Sequence, residues 1–254
     1  MKPAVRRVVA PIVGVVAFGL LWELFVRALD VRRFILLPPS TILGAIGDDF
    51  GFYVENTLVT ARHLVVGLAI SLVVAMAAGG AMAASRFLEE ASQPVLVLIL
   101  VTPWVAYITS VVLWLDGGDP TIIFMVAFTT FPVFTFGVVG GMKSTDPAAR
   151  ELFASVNASP WEIFFRLRLP SAIPSILTTA RTTIGLGLAA AYFAEGSALT
   201  TEGLGAIGKR AASFNDSETL WSTIVMSALL GVAGLAVLTL AERILLRWHA
   251  SQRR

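Results

Sequence analysis

Long apolar stretches alternate with short polar ones along the whole chain. A membrane-crossing helix needs about 20 mostly apolar residues, and six stretches approach or exceed that length: 8–28, 58–84, 93–115, 120–142, 172–194 and 219–246. Pro103 interrupts the third stretch, and the fifth is rich in Thr and Gly, which a span tolerates when neighbouring helices cover it. The pattern predicts an all-α fold, a polytopic membrane helical bundle with about six transmembrane helices, forming a single domain over residues 1–254.

The composition agrees with a lipid bilayer as the surrounding solvent and removes several classes of function. Hydrophobic residues make up 56% of the chain and charged residues 14%, whereas a soluble domain carries about a quarter charged residues. The net charge of +2 and the placement of the aromatics inside apolar runs give no reason to expect nucleic acid. With no Cys and only two His, the chain is expected to bind no metal and no cofactor of its own.

Basic residues indicate the orientation. Six spans place both termini on one side of the membrane. If that side is the cytoplasm, the cytoplasmic segments hold about twice as many Lys and Arg as the outer ones, which is the usual bias. A basic cluster around Arg32 on the outside runs against it. We expect a multi-pass protein with both termini cytoplasmic, so that Ser251 lies inside and Ser213 outside.

The segment 144–170, between the fourth and fifth spans, is charged and patterned for two short helices. Asp146-Pro147 predicts an N-cap followed by proline at the first helical position, and Asn157 predicts a left-handed residue that ends the first helix. Ser159–Glu162 has the form of a capping box, and Leu169-Pro170 predicts the end of the second helix. We therefore expect a cytoplasmic helix-turn-helix whose apolar side chains need a partner to cover them: Leu152, Phe153, Val156, Ile163, Phe164 and Leu167.

This segment resembles the cytoplasmic loop of binding-protein-dependent ABC importer permeases, whose pattern is Glu-Ala-Ala, three residues, Gly, nine residues and Ile-x-Leu-Pro. Glu151 stands at the Glu position, Asn157 at the Gly position and Leu169-Pro170 at Leu-Pro, whereas Leu152 and Phe153 are bulkier than the usual alanines. Further motifs resemble the nitrate/sulfonate/taurine branch of that family: Leu37-Pro38-Pro39-Ser40, Ala194-Glu195, Gly203-Leu204-Gly205 and Arg247-Trp248.

The resemblance implies the permease subunit of an importer in the bacterial cytoplasmic (inner) membrane, carrying a nitrate-, sulfonate- or taurine-like solute or a vitamin precursor. In such importers two permease copies pair, here as an expected homodimer. Two ATPase subunits use ATP and Mg, and an extracytoplasmic solute-binding protein delivers the solute. The chain itself is then not an enzyme. The residues implied to couple it to the ATPase are Glu151, Phe153, Ala154, Asn157, Ala158, Trp161 and Pro170.

The run Gly203–Arg210 almost fits a phosphate-binding loop. It ends in Arg where that motif needs the Ser or Thr hydroxyl that holds magnesium, and no strand precedes it. We therefore expect no nucleotide at this run.

Polar and aromatic side chains amid the apolar residues of spans three to five suggest a solute path, since a pore needs hydroxyls and aromatic walls. Ordinary helix packing also uses Thr, so this alternative stays open for each residue. Glu195 ends an otherwise apolar span, and we expect it to be either buried and paired or at a solvated helix end. The candidate path residues are Trp104, Tyr107, Thr130, Phe131, Thr183, Tyr192 and Glu195.

Two other functions compete with a permease subunit. A polytopic membrane enzyme would need catalytic groups at membrane depth, and the usual sets are missing: the spans hold no Cys, no carboxylate pair and no HExxH motif. A self-sufficient secondary carrier would need no docking helices and is often built from inverted repeats, of which the sequence shows none. Copurification of a separate ATPase distinguishes the permease from the carrier.

Overall fold

A computed structural model describes residues 3–246, with side chains from residue 9 onward. These residues form helices and no strand: α1 (Pro3–Ala28), α2 (Pro39–Asp48), α3 (Phe50–Ala84), α4 (Arg86–Val101), a 3-10 turn (Trp104–Tyr107), α5 (Ile108–Leu115), α6 (Gly118–Lys143), α7 (Pro147–Ser155), α8 (Pro160–Ile163), a π turn (Phe164–Arg168), α9 (Leu169–Glu195), α10 (Leu204–Ser213) and α11 (Ser217–Leu245). The predicted all-α class is confirmed. Ser251 and the Arg247-Trp248 motif lie outside the described residues.

Helix α6 is the centre of the bundle and packs along α3 on one side and α9 on the other. In its most apolar stretch 61% of the residues are buried, compared with 6% in α1 and α11, which therefore lie at the lipid-facing periphery. Glycines let α3 and α6 approach closely: a β-carbon at Gly67 would lie 2.5 Å from the Val126 side chain, and one at Gly79 would lie 2.7 Å from Val138. Small residues at such contacts are the usual means of tight packing between membrane helices.

Four of the predicted spans are long, continuous apolar helices: Val9–Ala28 of α1, α3, α6 and α11. The third span is broken, as Pro103 predicts, and its two halves, α4 and Trp104–Leu115, meet at 86°. The fifth, α9, has 27 residues, about 40 Å of helix, but is less apolar than the four. Its position between α3, α6 and α11 partly accounts for this, because neighbouring helices bury Thr183 and Gly187.

Different segments of the chain cover the two ends of the bundle. At one end, which we call the coupling end, the last turns of α3 and α6 meet the segment 144–170 and the start of α9. At the other end, α2 and α10 pack against α3 and α11; we call it the outer end because the orientation predicted from the basic residues would place it outside. An apolar cluster joins α2, α3, α10 and α11 there, with these members: Leu37, Ile42, Ile46, Tyr53, Leu204, Ile207 and Met226.

Candidate functional site

The segment 144–170 folds as its capping signals predict. The Asp146 carboxylate accepts a hydrogen bond of 2.9 Å from the backbone N–H of Ala148, and Pro147 begins α7. Asn157 has a φ of 49°, so the left-handed turn between the helices is confirmed. Ser159 and Glu162 form the complete capping box. The backbone N–H and hydroxyl of Ser159 both bond the Glu162 carboxylate, and these bonds hold the pKa of Glu162 below its ordinary value.

The prediction that Pro170 ends the second helix is wrong. Helix α8 runs through the π turn directly into α9, and Pro170 lies in the first turn of α9. A proline lacks the N–H of an α-helical bond, and its ring clashes with the carbonyl four residues earlier. The π turn spaces its hydrogen-bonded pairs by five residues, and the Leu169 N–H accordingly bonds the Phe164 carbonyl. Helix α8, the π turn and α9 therefore form one continuous helical stretch.

Only part of the apolar surface of this segment is uncovered. Phe164 and Leu167 face the bundle: Phe164 lies against Gly80, where a β-carbon would be 3.2 Å from its ring, and Leu167 is 8% exposed. Four large apolar side chains remain more than half exposed, and we call them the coupling patch: Leu152, Val156, Trp161 and Phe165. The Trp161 and Phe165 rings stack on each other at 5.5 Å.

The predicted coupling residues lie on or beside this patch. Glu151, Ala154, Asn157 and Trp161 are exposed, whereas Phe153, Ala158 and Pro170 are half-buried. The segment is fixed to the bundle by Arg168, whose guanidinium donates to the Ala83 carbonyl at the end of α3 (2.9 Å). At the same end, Lys143 of α6 pairs with Glu89 of α4. The segment is thus bonded to the end of α3 and continues directly into α9.

A buried polar network occupies the outer end and is centred on Glu195, which is 1% exposed. One carboxylate oxygen accepts from the Thr60 hydroxyl (2.9 Å) and the Gly205 N–H (2.8 Å). The other lies 2.8 Å from Nδ1 of His63. His63 reaches Asp119 at the start of α6 through Nε2 (3.1 Å), and Arg62 pairs with the same carboxylate.

The glycine-rich run at the start of α10 completes this network. The Gly203 N–H donates to the Asn56 side chain and the Leu204 N–H to the Thr60 hydroxyl, both at 2.9 Å. Gly203 has a φ of 98°, and a β-carbon there would lie 2.6 Å from the Glu195 carboxylate. The start of α10 therefore receives the Glu195 side chain of the same protein where a phosphate loop would receive phosphate.

Sequence reasoning anticipated a buried, paired Glu195 as one alternative, but it gave His63 and Asp119 no role. Along the chain, His63 is 132 residues from Glu195 and 56 residues from Asp119. The one available signal was the pair of ionisable residues Arg62-His63 within the second apolar stretch, because charged residues in a span are usually paired. The spanning-helix residues Arg181 and Glu242 also pair, between α9 and α11.

The seven candidate path residues divide into two groups. Thr130 bonds Ser71 of α3 (2.8 Å) and the Val126 carbonyl, Thr183 bonds carbonyls of its own helix, and Phe131 packs against an apolar cluster at the α3–α4–α6 contact. For these three the packing interpretation fits the contacts.

The remaining four lie in the outer half. Trp104 contacts Phe193 of α9 (centroids 5.8 Å apart), and Tyr107 contacts Phe128 of α6 (5.5 Å). The hydroxyl of Tyr192 lies 3.0 Å from Thr223 of α11. Trp104 and Tyr107 therefore lie at the bend between α4 and α5, whereas Tyr192 packs toward α10 and α11 and Glu195 belongs to the buried network with α3 and α10. Within residues 3–246 no group of three or more His, Asp or Glu side chains has a geometry that could hold a metal ion.

Comparisons with known proteins agree on one family. The family model described as binding-protein-dependent transport system inner membrane component matches residues 67–249. The formylaminopyrimidine transport permease protein ThiX of Halalkalibacterium halodurans is 28% identical over 91% of this chain and 92% of its own length. The taurine transport system permease protein TauC of Escherichia coli is 24% identical over 88% and 84%. The inward-facing MetNI methionine ABC transporter superposes with a TM-score of 0.61 at 17% identity, over 75% of this chain and 96% of the matched chain, which is a likeness of fold.

Proposed function

The chain belongs to the family of binding-protein-dependent transport system inner membrane components and is the permease subunit of an ABC importer for a small solute; from this premise we propose that the segment 144–170 couples it to a separate ATPase. The predicted family and the nitrate/sulfonate/taurine branch are thereby confirmed. A permease of this kind hydrolyses no ATP itself, so its movements have to be driven through a contact with the subunit that does.

The coupling patch carries this proposal. Leu152, Val156, Trp161 and Phe165 are exposed on a segment too short to cover them itself, and an exposed apolar cluster rimmed by polar residues marks an interaction surface. Glu151, Ala154 and Asn157 are exposed beside them. The left-handed turn at Asn157 allows α7 and α8 to enter one cleft of the partner. The partner hydrolyses ATP with Mg as its cofactor.

The helical continuity from α8 to α9 supports alternating access as the mechanism. When two ATPase subunits close on ATP, a displacement of the patch moves α9 directly. Helix α9 moves together with α3 and α6 at the outer end, because Glu195, His63 and Asp119 tie the three helices to one another. Helices α4 and α5 contact this core much less extensively. Rocking of the two paired permease copies against each other then changes the opening of the solute path from outward to inward.

The other components of the importer are those expected for the family. We propose a single permease domain over residues 1–254, paired with a second copy of itself and supplied by an extracytoplasmic solute-binding protein at the outer end. The subunit lies in the bacterial cytoplasmic membrane with both termini cytoplasmic. Among the relatives, one is named for formylaminopyrimidine and one for taurine, so a heteroaromatic vitamin precursor and a small sulfonate are the solute classes to be distinguished.

The competing function, a membrane enzyme, would have to use the His63–Glu195 cluster. The polar atoms of that cluster are occupied: each oxygen of Glu195 has a partner, and both His63 nitrogens face a carboxylate. His63 is fully buried. These groups hold helices together and leave no reactive atom open to a substrate.

The coupling proposal is tested by retention of the ATPase on the affinity-tagged permease. Replacing Asn157 with Val places a β-branched residue at positive φ, which is strongly disfavoured, so Asn157→Val should insert normally yet lose the ATPase. Asn157→Gly should retain it. Asn215, whose φ is 57°, lies in the α10–α11 turn at the outer end, and Asn215→Val is the matched control that should keep the ATPase. Equal retention by the two Asn157 variants would contradict the proposal.

A further inference from the structure

A groove of about 1010 Å³ runs along the periphery of the bundle, between α1 and α11. Aromatic and aliphatic side chains line it from Phe18 to Ala28 of α1, together with Trp221 and Ile224 of α11 and Leu36 of the connection to α2. None of the described residues that line it is charged. Ten residue steps of α1 span about 15 Å, which is half of the roughly 30 Å hydrocarbon core of a bilayer. The groove therefore has the length of one membrane leaflet.

Protein fills little of the space around α1. The most extensive contact of α1 with another helix is with the short helix α2. Trp22 of α1 and Trp221 of α11 both line the groove and meet edge to face with ring centroids 5.7 Å apart. An empty groove would leave its lining side chains without the dispersion contacts that packed neighbours provide. In a membrane such a space is filled by a lipid chain or by another protein.

The connection from α1 to α2 places two cations beside one end of the groove. Arg32 and Arg33 lie between Leu29 and Leu36, which both line the groove, and the Leu36 N–H bonds the Arg32 carbonyl in a tight turn. Both Arg side chains are exposed. Neither forms an ion pair with any side chain described in residues 9–246. Asp30 offsets one of the two charges, so this turn keeps a single positive charge in excess.

The other charges near this turn are paired with each other. Glu23 accepts a hydrogen bond from Arg27 at 2.6 Å and one from the Ser40 hydroxyl at 2.7 Å. The Arg32 guanidinium instead lies over the Phe34 ring, 6.0 Å from its centroid. A guanidinium group matches a phosphate through paired N–H donors. A phosphate ligand would also give a reason for the basic cluster around Arg32, which runs against the charge bias of the other segments.

We propose that this groove binds an acyl chain of an anionic phospholipid whose phosphate lies at Arg32 and Arg33. The uncharged walls and the leaflet length of the groove suit the chain, and basic residues beside clefts between spanning helices bind anionic headgroups. One positive charge in excess favours such a lipid over a zwitterionic one by about fivefold. The bound lipid fills the space that the protein leaves open between α1 and α11 and holds α1 against the bundle.

The test places one fluorescent label in the groove. Because the chain contains no Cys, Leu21→Cys, at a position that lines the groove, can be labelled alone. The labelled permease, assembled with its ATPase, is reconstituted in phosphatidylcholine vesicles that contain a minor fraction of phosphatidylglycerol. One of the two lipids carries brominated acyl chains, which quench the label on contact. Brominated phosphatidylglycerol should quench about fivefold more effectively per molecule than brominated phosphatidylcholine.

Two outcomes would overturn the proposal. Equal quenching per molecule by the two lipids would show that the groove holds bulk lipid without selection. No quenching by either lipid would show that protein, such as the second permease copy, covers the groove. A label at Val232→Cys is the control for position: this residue of α11 is exposed but does not line the groove, and the two lipids should quench it equally.

Charge variants test the headgroup contact, with the label at position 21 throughout. Replacing both Arg32 and Arg33 with Gln should lower the quenching ratio to one or below, because Asp30 then remains alone. The control replaces Lys209 and Arg210, two exposed cations of α10, with Gln and should leave the ratio unchanged. Asp30→Asn should raise the ratio about fivefold further, and Asn tolerates the φ of 45° at this position. A ratio that none of these changes alters would contradict the assignment of the phosphate.

Discussion

Removing the Glu195 carboxylate should destabilise the outer end more than any exposed charge in its vicinity. In Glu195→Ala, the Gly205 N–H and the Nδ1 of His63 both lose their acceptor, whereas the Thr60 hydroxyl can still bond the Asn56 carbonyl at 3.2 Å. A buried donor without a partner costs about 1–3 kcal/mol, so the two together cost about 2–6 kcal/mol. Glu202→Ala, at an exposed position in the adjoining loop, is the matched control and should cost almost nothing.

The stability of the amide variant, Glu195→Gln, should lie between that of the wild type and that of Glu195→Ala. In Glu195→Gln, the amide oxygen can still accept from Gly205. The amide N–H can donate to Nδ1 of His63 once the ring proton moves from Nδ1 to Nε2, which faces Asp119. The hydrogen bonds survive but lose the assistance of the charge, which about halves their strength. We expect Glu195→Gln to retain the ATPase and to lower transport.

The variants are compared by their free energy of unfolding in mixed detergent micelles, with tryptophan fluorescence as the signal. The expected order of stability is wild type and Glu202→Ala, then Glu195→Gln, then Glu195→Ala. Uptake by reconstituted importer is measured in parallel. If Glu195→Ala unfolds at the same free energy as Glu202→Ala, the network does not hold the outer end, and the reasoning from its unpaired donors fails.

Three further outcomes are expected. Gly205→Ala should destabilise the chain by about 1–3 kcal/mol, the usual cost of overpacking, because its β-carbon would collide with the backbone of α9; unchanged thermal stability would show that α10 can shift freely. Single Cys residues at positions 213 and 251 should react with an impermeant thiol reagent only at 213 in intact cells, and labelling of Ser251→Cys would overturn the orientation. The pKa of Glu162 in the folded chain is lowered by its bonds to Ser159. The capping box is therefore fully stabilising above the pKa that Glu162 has in the unfolded chain, and its contribution is lost as the pH falls through the folded pKa. Hydrogen exchange at the Glu162 amide should accelerate below that folded pKa, and an exchange rate without this added acceleration would contradict the prediction.

Local chemistry could be predicted from the sequence, and distant pairing could not. The Asn157 turn and the capping box depend on residues within four positions of each other, so their patterns were sufficient. Pro103 predicted the break in the third span, but not its 86° angle, which is set by packing against α6 and α9. The prediction that Pro170 ends a helix was wrong, because the position of a proline in the sequence does not distinguish a helix end from a π turn. The partner of Glu195 could not be predicted, since only the folded bundle brings His63 beside it.

The outer network also sets an order for assembly of the subunit. Asn56 and Thr60 of α3 are synthesised 147 and 144 residues before the backbone groups of α10 that they bind. Asp119 reaches His63 first, and Glu195 follows only when α9 is in the membrane. The start of α10 docks after all of these, so a growing chain holds unsatisfied polar groups in α3 until nearly four-fifths of it has been made. Docking of α10 therefore completes the polar network, whereas the apolar cluster beside it still awaits Met226 of α11. A chain truncated before Gly203 keeps buried polar groups of α3 without these partners.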